Sequence, residues 1–194
     1  MDFRINPGNT PLDPTEAEGL IPKIWTLKEL NQTEGQNILL ARRWAMKDRS
    51  IQANLLSSTT LRQLHERMFS LTWKWAGTYR LTQKSIGIEA FRIPTELKIL
   101  VDDVKVWIEF GTYSPDEIAT RFHHRLVQIH AFPNGNGRHA RLATDLLCSQ
   151  LGIEALSWGA KLSVEPVEIR RRYIAALQMA DAHDYSEILL FVRA

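Results

Sequence analysis

The stretch His130–Arg141, HAFPNGNGRHAR, constrains this chain more than any other. Two helix-period stripes flank it. Ile118, Phe122, Leu126 and Ile129 recur at three- and four-residue spacing before it, and Leu142, Leu146 and Leu147 after it. Between them Pro133 disfavours helix at Phe132. Gly135 and Gly137 admit positive φ or a close approach to the main chain, and Asn134 and Asn136 tolerate left-handed geometry. The expected local structure is a tight loop joining two successive helices. The second helix then presents its unpaired N–H groups and the positive end of its dipole, which makes an anion site. Arg138 and Arg141, three apart, add two guanidinium forks on one side of that helix. His130 falls at the mouth of the loop, where a base is needed.

The bulk properties set limits on what such a site serves. The chain has 194 residues and a formal net charge of +2. That length fits one domain with a substantial core, here read as an irregular arm over residues 1–12 and a single domain over 13–194. The balanced charge gives no case for nucleic acid or a membrane surface. No apolar run approaches the ~20 residues that span a bilayer. MDFRINPGN lacks the layout of a signal peptide. The single cysteine, Cys148, forms no intrachain disulfide and reads as a buried thiol among Leu146, Leu147 and Leu151. A cytoplasmic protein is expected.

Along the chain, Asp13-Pro14-Thr15-Glu16 reads as a capped helix start, closed by Gly19 and Pro22. Thr26–Ser50 has a helical face of Leu27, Leu30, Ile38, Ala41, Trp44 and Ala45, with a break allowed near Gly35. Leu61, Leu64, Met68, Leu71 and Trp75 form the next stripe, and Trp73 reads as core. Tyr79–Ile93 alternates imperfectly and suggests a short hairpin. Pro94 opens a helix with Leu97, Leu100, Val101, Val104 and Ile108 inward, ending at Gly111. Ser114-Pro115-Asp116-Glu117 is a strong helix start. Helical patterns near Glu165 and around Ile188 close the chain, and Arg170-Arg171-Arg172 reads as a solvated face. The histidines His123, His124 and His139 have no carboxylate at metal-site spacing and read as surface or packed residues.

His130, Phe132, Gly135, Asn136, Gly137, Arg138 and Arg141 together resemble the signature H-x-F-x-(D/E)-G-N-G-R-x-x-R of the Fic family. The flanking text, over roughly residues 10–160, is similar to the small bacterial members grouped as mobile mystery protein B. The resemblance implies an all-α, Fic-type helical bundle, its core at about residues 60–160, with a short β-hairpin flap over the active site. It implies a protein adenylyltransferase that moves AMP from ATP to a Ser, Thr or Tyr hydroxyl of a target protein. His130 would be the base. Asn134, Gly135, Asn136 and Gly137 would hold phosphates with Arg138 on the β- and Arg141 on the γ-phosphate, and Phe132 would anchor the loop. The flap residues Lys84, Ser85, Ile86, Gly87 and Ile88 would align the target. Magnesium or manganese would accompany the ATP. The chain departs from the signature at Asn134, where the family carries the metal-binding acid. A fold that binds nucleotide or a partner without transfer therefore stays open, as does transfer of UMP, phosphocholine or phosphate.

Many Fic proteins are held off by a glutamate in the motif S/T-x-x-x-E-G/N. Glu18-Gly19 resembles the end of that motif, with Pro14 where Ser or Thr belongs. The resemblance implies an inhibitory helix at 14–19 that pairs Glu18 with Arg141. A separate antitoxin protein supplying the glutamate is the alternative.

Overall fold

A computed structural model describes residues 14–194, and their regular structure is helical. The expected arm at 1–12 and the cap at Asp13 lie outside the described residues. The elements are α1 (Pro14–Ala17), α2 (Leu27–Ala45), α3 (Arg49–Ala53), α4 (Ser58–Phe69), α5 (Ile93–Phe110), α6 (Pro115–Ile129), α7 (Asn136–Gln150), α8 (Pro166–Asp181) and α9 (Ser186–Phe191). A 3₁₀ turn, Ala90–Arg92, leads into α5.

The starts follow the local chemistry. Thr26 and Glu29 close a reciprocal capping box on α2. Ser114 caps α6 by accepting from the Glu117 N–H, with Pro115 in the first turn. Gly111 ends α5 in the left-handed region at φ 59°. The break allowed near Gly35 does not occur: α2 runs unbroken over 19 residues. A Cβ at Gly35 would meet nothing within 4 Å, so that glycine is not there for space.

Helices α6 and α7 pack on each other, with α5 against α6, α2 against α4, and α4 reaching α7. The core between them holds Leu61, Leu64, Met68, Trp73, Leu97, Val104, Phe122, Ile129, Phe132, Leu142 and Leu146. A second cluster, with Cys148, Leu156, Ala180, Ile188 and Phe191, seats α8 and α9 on the back of α6 and α7. Burial pushes the Cys148 thiol up to about 11, which keeps it inert. Two residues placed inward by periodicity are exposed, Leu71 at 65% and Ile108 at 40%. Leu71 lies beyond the end of α4, where the period no longer applies. Ile108 sits in the last turn of α5.

The expected β-hairpin is not formed. Among the described residues there is no strand, only one antiparallel bridge between Leu20 and Trp73. The segment 78–89 is an irregular loop. Its carbonyls are satisfied by a side chain in place of a strand ladder: Arg80 Nη1 donates to Thr82 O at 2.9 Å and Nη2 donates to Ile88 O. Gly87 at φ 95° also breaks the extended backbone that pairing needs.

Candidate active site

His130 caps the C-terminus of α6 in the left-handed region, φ 52° and ψ 57°. Its N–H still donates to Leu126 O at 3.2 Å, and its carbonyl accepts Arg80 Nε at 2.7 Å. A non-glycine residue at positive φ is uncommon, so these bonds fix a costly geometry. The ring is buried at 6% exposure, and neither ring nitrogen has a hydrogen-bond partner of good geometry. Burial drives its pKa down to about 4, helped by the Arg80 and Lys84 charges, while the Val127 carbonyl opposes them. At neutral pH the imidazole is neutral, with a lone pair available.

The loop after it is held from inside. The Asn136 side chain brackets Phe132: Oδ1 accepts the Phe132 N–H at 2.9 Å and Nδ2 donates to Phe132 O at 2.7 Å. Its side chain is thus spent on the loop, which leaves its backbone N–H, in the first turn of α7, as its group for an anion. What α7 offers an anion is its first-turn N–H groups. Phe132 is fully buried and stacks on His65 at 3.7 Å, as an anchor should. Gly77 N–H donates to His65 Nδ1, which fixes the tautomer in which Nε2–H donates to Asn134 O at 3.0 Å. Gly135 has φ 77°, and a Cβ there would sit 2.5 Å from the Phe69 ring. Gly137 has open space, so its role is close approach to the main chain.

The two arginines have different neighbours. Arg141 lies over the Tyr173 ring at 5.1 Å and the Trp158 ring at 5.7 Å, between α8 and the segment before it. Arg138 Nη1 pairs with Glu34 Oε2 at 2.6 Å, and its guanidinium lies over Phe69 at 5.0 Å. The other Glu34 oxygen accepts Trp73 Nε1 at 2.6 Å. Glu34 is buried at 3% exposure on the inner face of α2, beside Leu30, Asn37, Ala41 and Ala45.

The carboxylate at a motif arginine is therefore Glu34, and its partner is Arg138. Glu18 is exposed on the rim of the cleft and makes no ion pair with Arg141. The Glu18-Gly19 text misled because it matched a helix end, whereas the pairing carboxylate sits inside a long helix. A physical signal was present: a glutamate in register with an apolar stripe must have a partner.

Around the site, α1 and the loop 78–89 form one wall. Glu16 on α1 takes Lys84 Nζ at 2.5 Å and Thr82 Oγ1 at 3.3 Å. Ser85 to Ile88 run past His130, and a Cβ on Gly87 would lie 2.6 Å from His130 Cβ. A cleft runs from Glu18 and Ile86 past His130, Asn134 and Arg138 to Arg141, Tyr173 and Leu177 on α8. Of the expected site residues, the structure thus gathers His130, the loop, both arginines and the flap segment. No cluster of three or more acidic, His or Cys groups suited to a metal exists among the described residues. Asn134 Oδ1 accepts the Gly135 N–H at 2.5 Å, which leaves a neutral, partly engaged oxygen as the nearest ligand. That donor set fits a metal carried by phosphate oxygens better than a resident ion. Among the described residues no helix is long and apolar enough to cross a membrane.

Residues 55–148 match the model of the Fic/DOC family. The chain is 31% identical over 120 residues to protein adenylyltransferase fic-1 of Caenorhabditis elegans, covering 60% of this chain and 22% of that protein. It is 27% identical over 119 residues to protein adenylyltransferase Fic of Aedes aegypti, again 60% and 22%. It spans about a fifth of the length of these relatives. Among solved structures, Fic-1 (residues 134–508) of C. elegans superposes with a TM-score of 0.65 at 26% identity, over 92% of this chain and 52% of that one. A Fic family protein of Desulfovibrio desulfuricans gives 0.60 at 26% identity, over 83% and 49%.

Proposed function

Residues 55–148 are a Fic/DOC-family domain, and on that premise we propose that the chain is a protein adenylyltransferase transferring AMP from ATP to a target hydroxyl. The observation that carries this reading is His130: a buried, neutral imidazole with unpaired nitrogens, beside an anion-binding helix N-terminus and two guanidinium groups. In the reaction the hydroxyl oxygen of a Ser, Thr or Tyr attacks the α-phosphorus. The new O–P bond replaces the bond to the β-phosphate, and pyrophosphate leaves. The hydroxyl proton passes to a His130 ring nitrogen. The α7 N–H groups and Arg138 take the charge that develops on the phosphates, and Arg141 the γ-phosphate. Magnesium or manganese, held mainly by the nucleotide, would neutralise the leaving group, with Asn134 as a weak ligand.

Glu34 acts as a brake in the same reading. It occupies the guanidinium that the β-phosphate needs, so productive ATP must displace a buried carboxylate. A brake within the chain makes an antitoxin unnecessary for that occupancy. ATP as substrate and a reduced Cys148 fit a cytoplasmic location. The neutral Asn134 also favours a second reading, a nucleotide binder that transfers nothing. The test is incubation with α-labelled ATP and with α-labelled UTP. Label on protein from ATP, lost in His130→Ala, supports the transferase. Binding without label supports the second reading.

A further inference from the structure

Arg80 is a fully buried cation and does not line the cleft of the phosphate site. Its side chain is 1% exposed, and it sits where the flap segment, the end of α6 and the start of the loop meet. Nε donates to His130 O at 2.7 Å, Nη1 to Thr82 O at 2.9 Å, and Nη2 to Ile88 O and, at 3.5 Å, to Ile129 O. Its own N–H donates to Ala131 O at 3.0 Å. One guanidinium thus holds both ends of the flap segment and the carbonyl of the residue in the left-handed conformation. Gly87, next to Ile88 at the far end of that segment, is pressed on the same joint: a Cβ would lie 2.9 Å from Arg80 Nη2 and 2.6 Å from His130 Cβ.

A buried guanidinium is costly unless most of its five donors are satisfied. Here carbonyls satisfy it, and they come from the flap segment and from the end of α6. Burial lowers the Arg80 pKa, with the Glu16 charge opposing, yet a guanidinium stays charged at any physiological pH. The joint is therefore permanent and planar. Its fork reaches carbonyls on both sides at once. A lysine at this position carries its three donors on one nitrogen and cannot reach across the joint as the planar fork does.

We propose that Arg80 is a positioning residue: it fixes the flap segment and the His130 backbone relative to each other, so that a target hydroxyl held by the flap meets the imidazole. The proposal rests on the transferase reading given above. It assigns Arg80 no contact with ATP, so the chemical step should suffer and nucleotide affinity should not.

The experiment uses a Glu34→Gly parent chain and measures labelling turnover, ATP affinity by calorimetry, and amide hydrogen exchange. In Arg80→Lys, turnover falls by at least about tenfold, as misplacement of a reacting group by about an ångström would cause. The dissociation constant for ATP stays within about twofold. Exchange at residues 82–88 and at the His130 amide rises together. Gly87→Ala, which disturbs the joint from the exposed flap side, gives the same pattern, with turnover lower, exchange higher and ATP affinity unchanged, and it decides alone if Arg80→Lys does not fold. Turnover equal to the parent's in the folded variants overturns the proposal. A parallel loss of turnover and ATP affinity also overturns it, because that marks a purely structural residue. If the Glu34→Gly parent itself transfers no label, the transferase reading fails and hydrogen exchange judges Arg80. A flap that loosens while the His130 amide stays protected then contradicts it.

Discussion

Glu34 and Arg138 stand 104 residues apart in the sequence and 2.6 Å apart in the fold. The pair joins α2 to the first turn of α7 across the mouth of the phosphate loop. Glu34 is almost fully enclosed, while Arg138 keeps 39% of its side chain exposed. An asymmetric pair of this kind is easier to break from the arginine side. The guanidinium can turn to a phosphate, but the carboxylate then keeps only Trp73 as a partner. On the proposed function, an incoming phosphate would compete with this fixed carboxylate for the Arg138 guanidinium.

The two glutamates separate by mutation. Glu18→Gly should leave self-labelling at the wild-type level, since Glu18 is exposed and unpaired with either motif arginine. Glu34→Gln keeps an acceptor for Trp73 but loses the charge, and should raise labelling by less than Glu34→Gly. Equal activation by Glu18→Gly and Glu34→Gly would show that α1, not α2, carries the brake.

Asn134→Asp replaces a neutral oxygen with a charged one beside the nucleotide phosphates. The magnesium concentration for half-maximal labelling should fall, because magnesium favours carboxylate with phosphate oxygens. A metal titration of both proteins checks this. Unchanged metal dependence would place Asn134 away from the ion.

Acid should unfold the protein earlier than its carboxylates would suggest. Burial holds His130 and His139 at about 4 and His123 at about 3, and lowers His65 as well. The unfolded chain takes up these protons near pH 6.5, the folded one only near the lowered values. The unfolded state therefore binds more protons throughout that window. The neutral histidines' contribution is intact above 6.5 and is lost as pH falls towards 4 and below. Melting temperature should drop steadily between pH 6.5 and 4; a flat profile from pH 7 to 5 would contradict the buried, neutral assignment.

Tyr173 lies outside the matched domain yet faces Arg141. Tyr173→Leu removes the ring and should weaken ATP binding by about 2- to 10-fold, the worth of one cation–π contact. AMP, which lacks the γ-phosphate, should bind as before, and Tyr173→Phe should stay close to wild type. An equal loss for AMP and ATP would move Arg141 away from the γ-phosphate.

The helices and the loop were legible in the sequence because short-range rules decide them. Ser114-Pro115, Gly111 and the stripe Ile118, Phe122, Leu126, Ile129 act within a turn or two. The position of His130 followed from Pro133 and the end of that stripe. Two features were not legible, because each turns on which side chain meets which polar group, and periodicity does not report that. Alternation over 79–93 suggested a hairpin, but Arg80 satisfies the carbonyls that a second strand would have taken. Glu34 was hidden because a motif end at Glu18-Gly19 drew attention from a carboxylate on the buried face of α2.

If His130 is the base for AMP transfer and Glu34 restrains that transfer, both effects appear in one assay. The direct measurement is the rate of protein labelling from α-labelled ATP in wild type, Glu34→Gly and Glu34→Gly/His130→Ala. The account predicts low labelling in wild type, a rise of about an order of magnitude or more in Glu34→Gly, as release of one buried ion pair allows, and loss of that rise in the double variant. Labelling that is unchanged by Glu34→Gly, or that persists in full without His130, would contradict it.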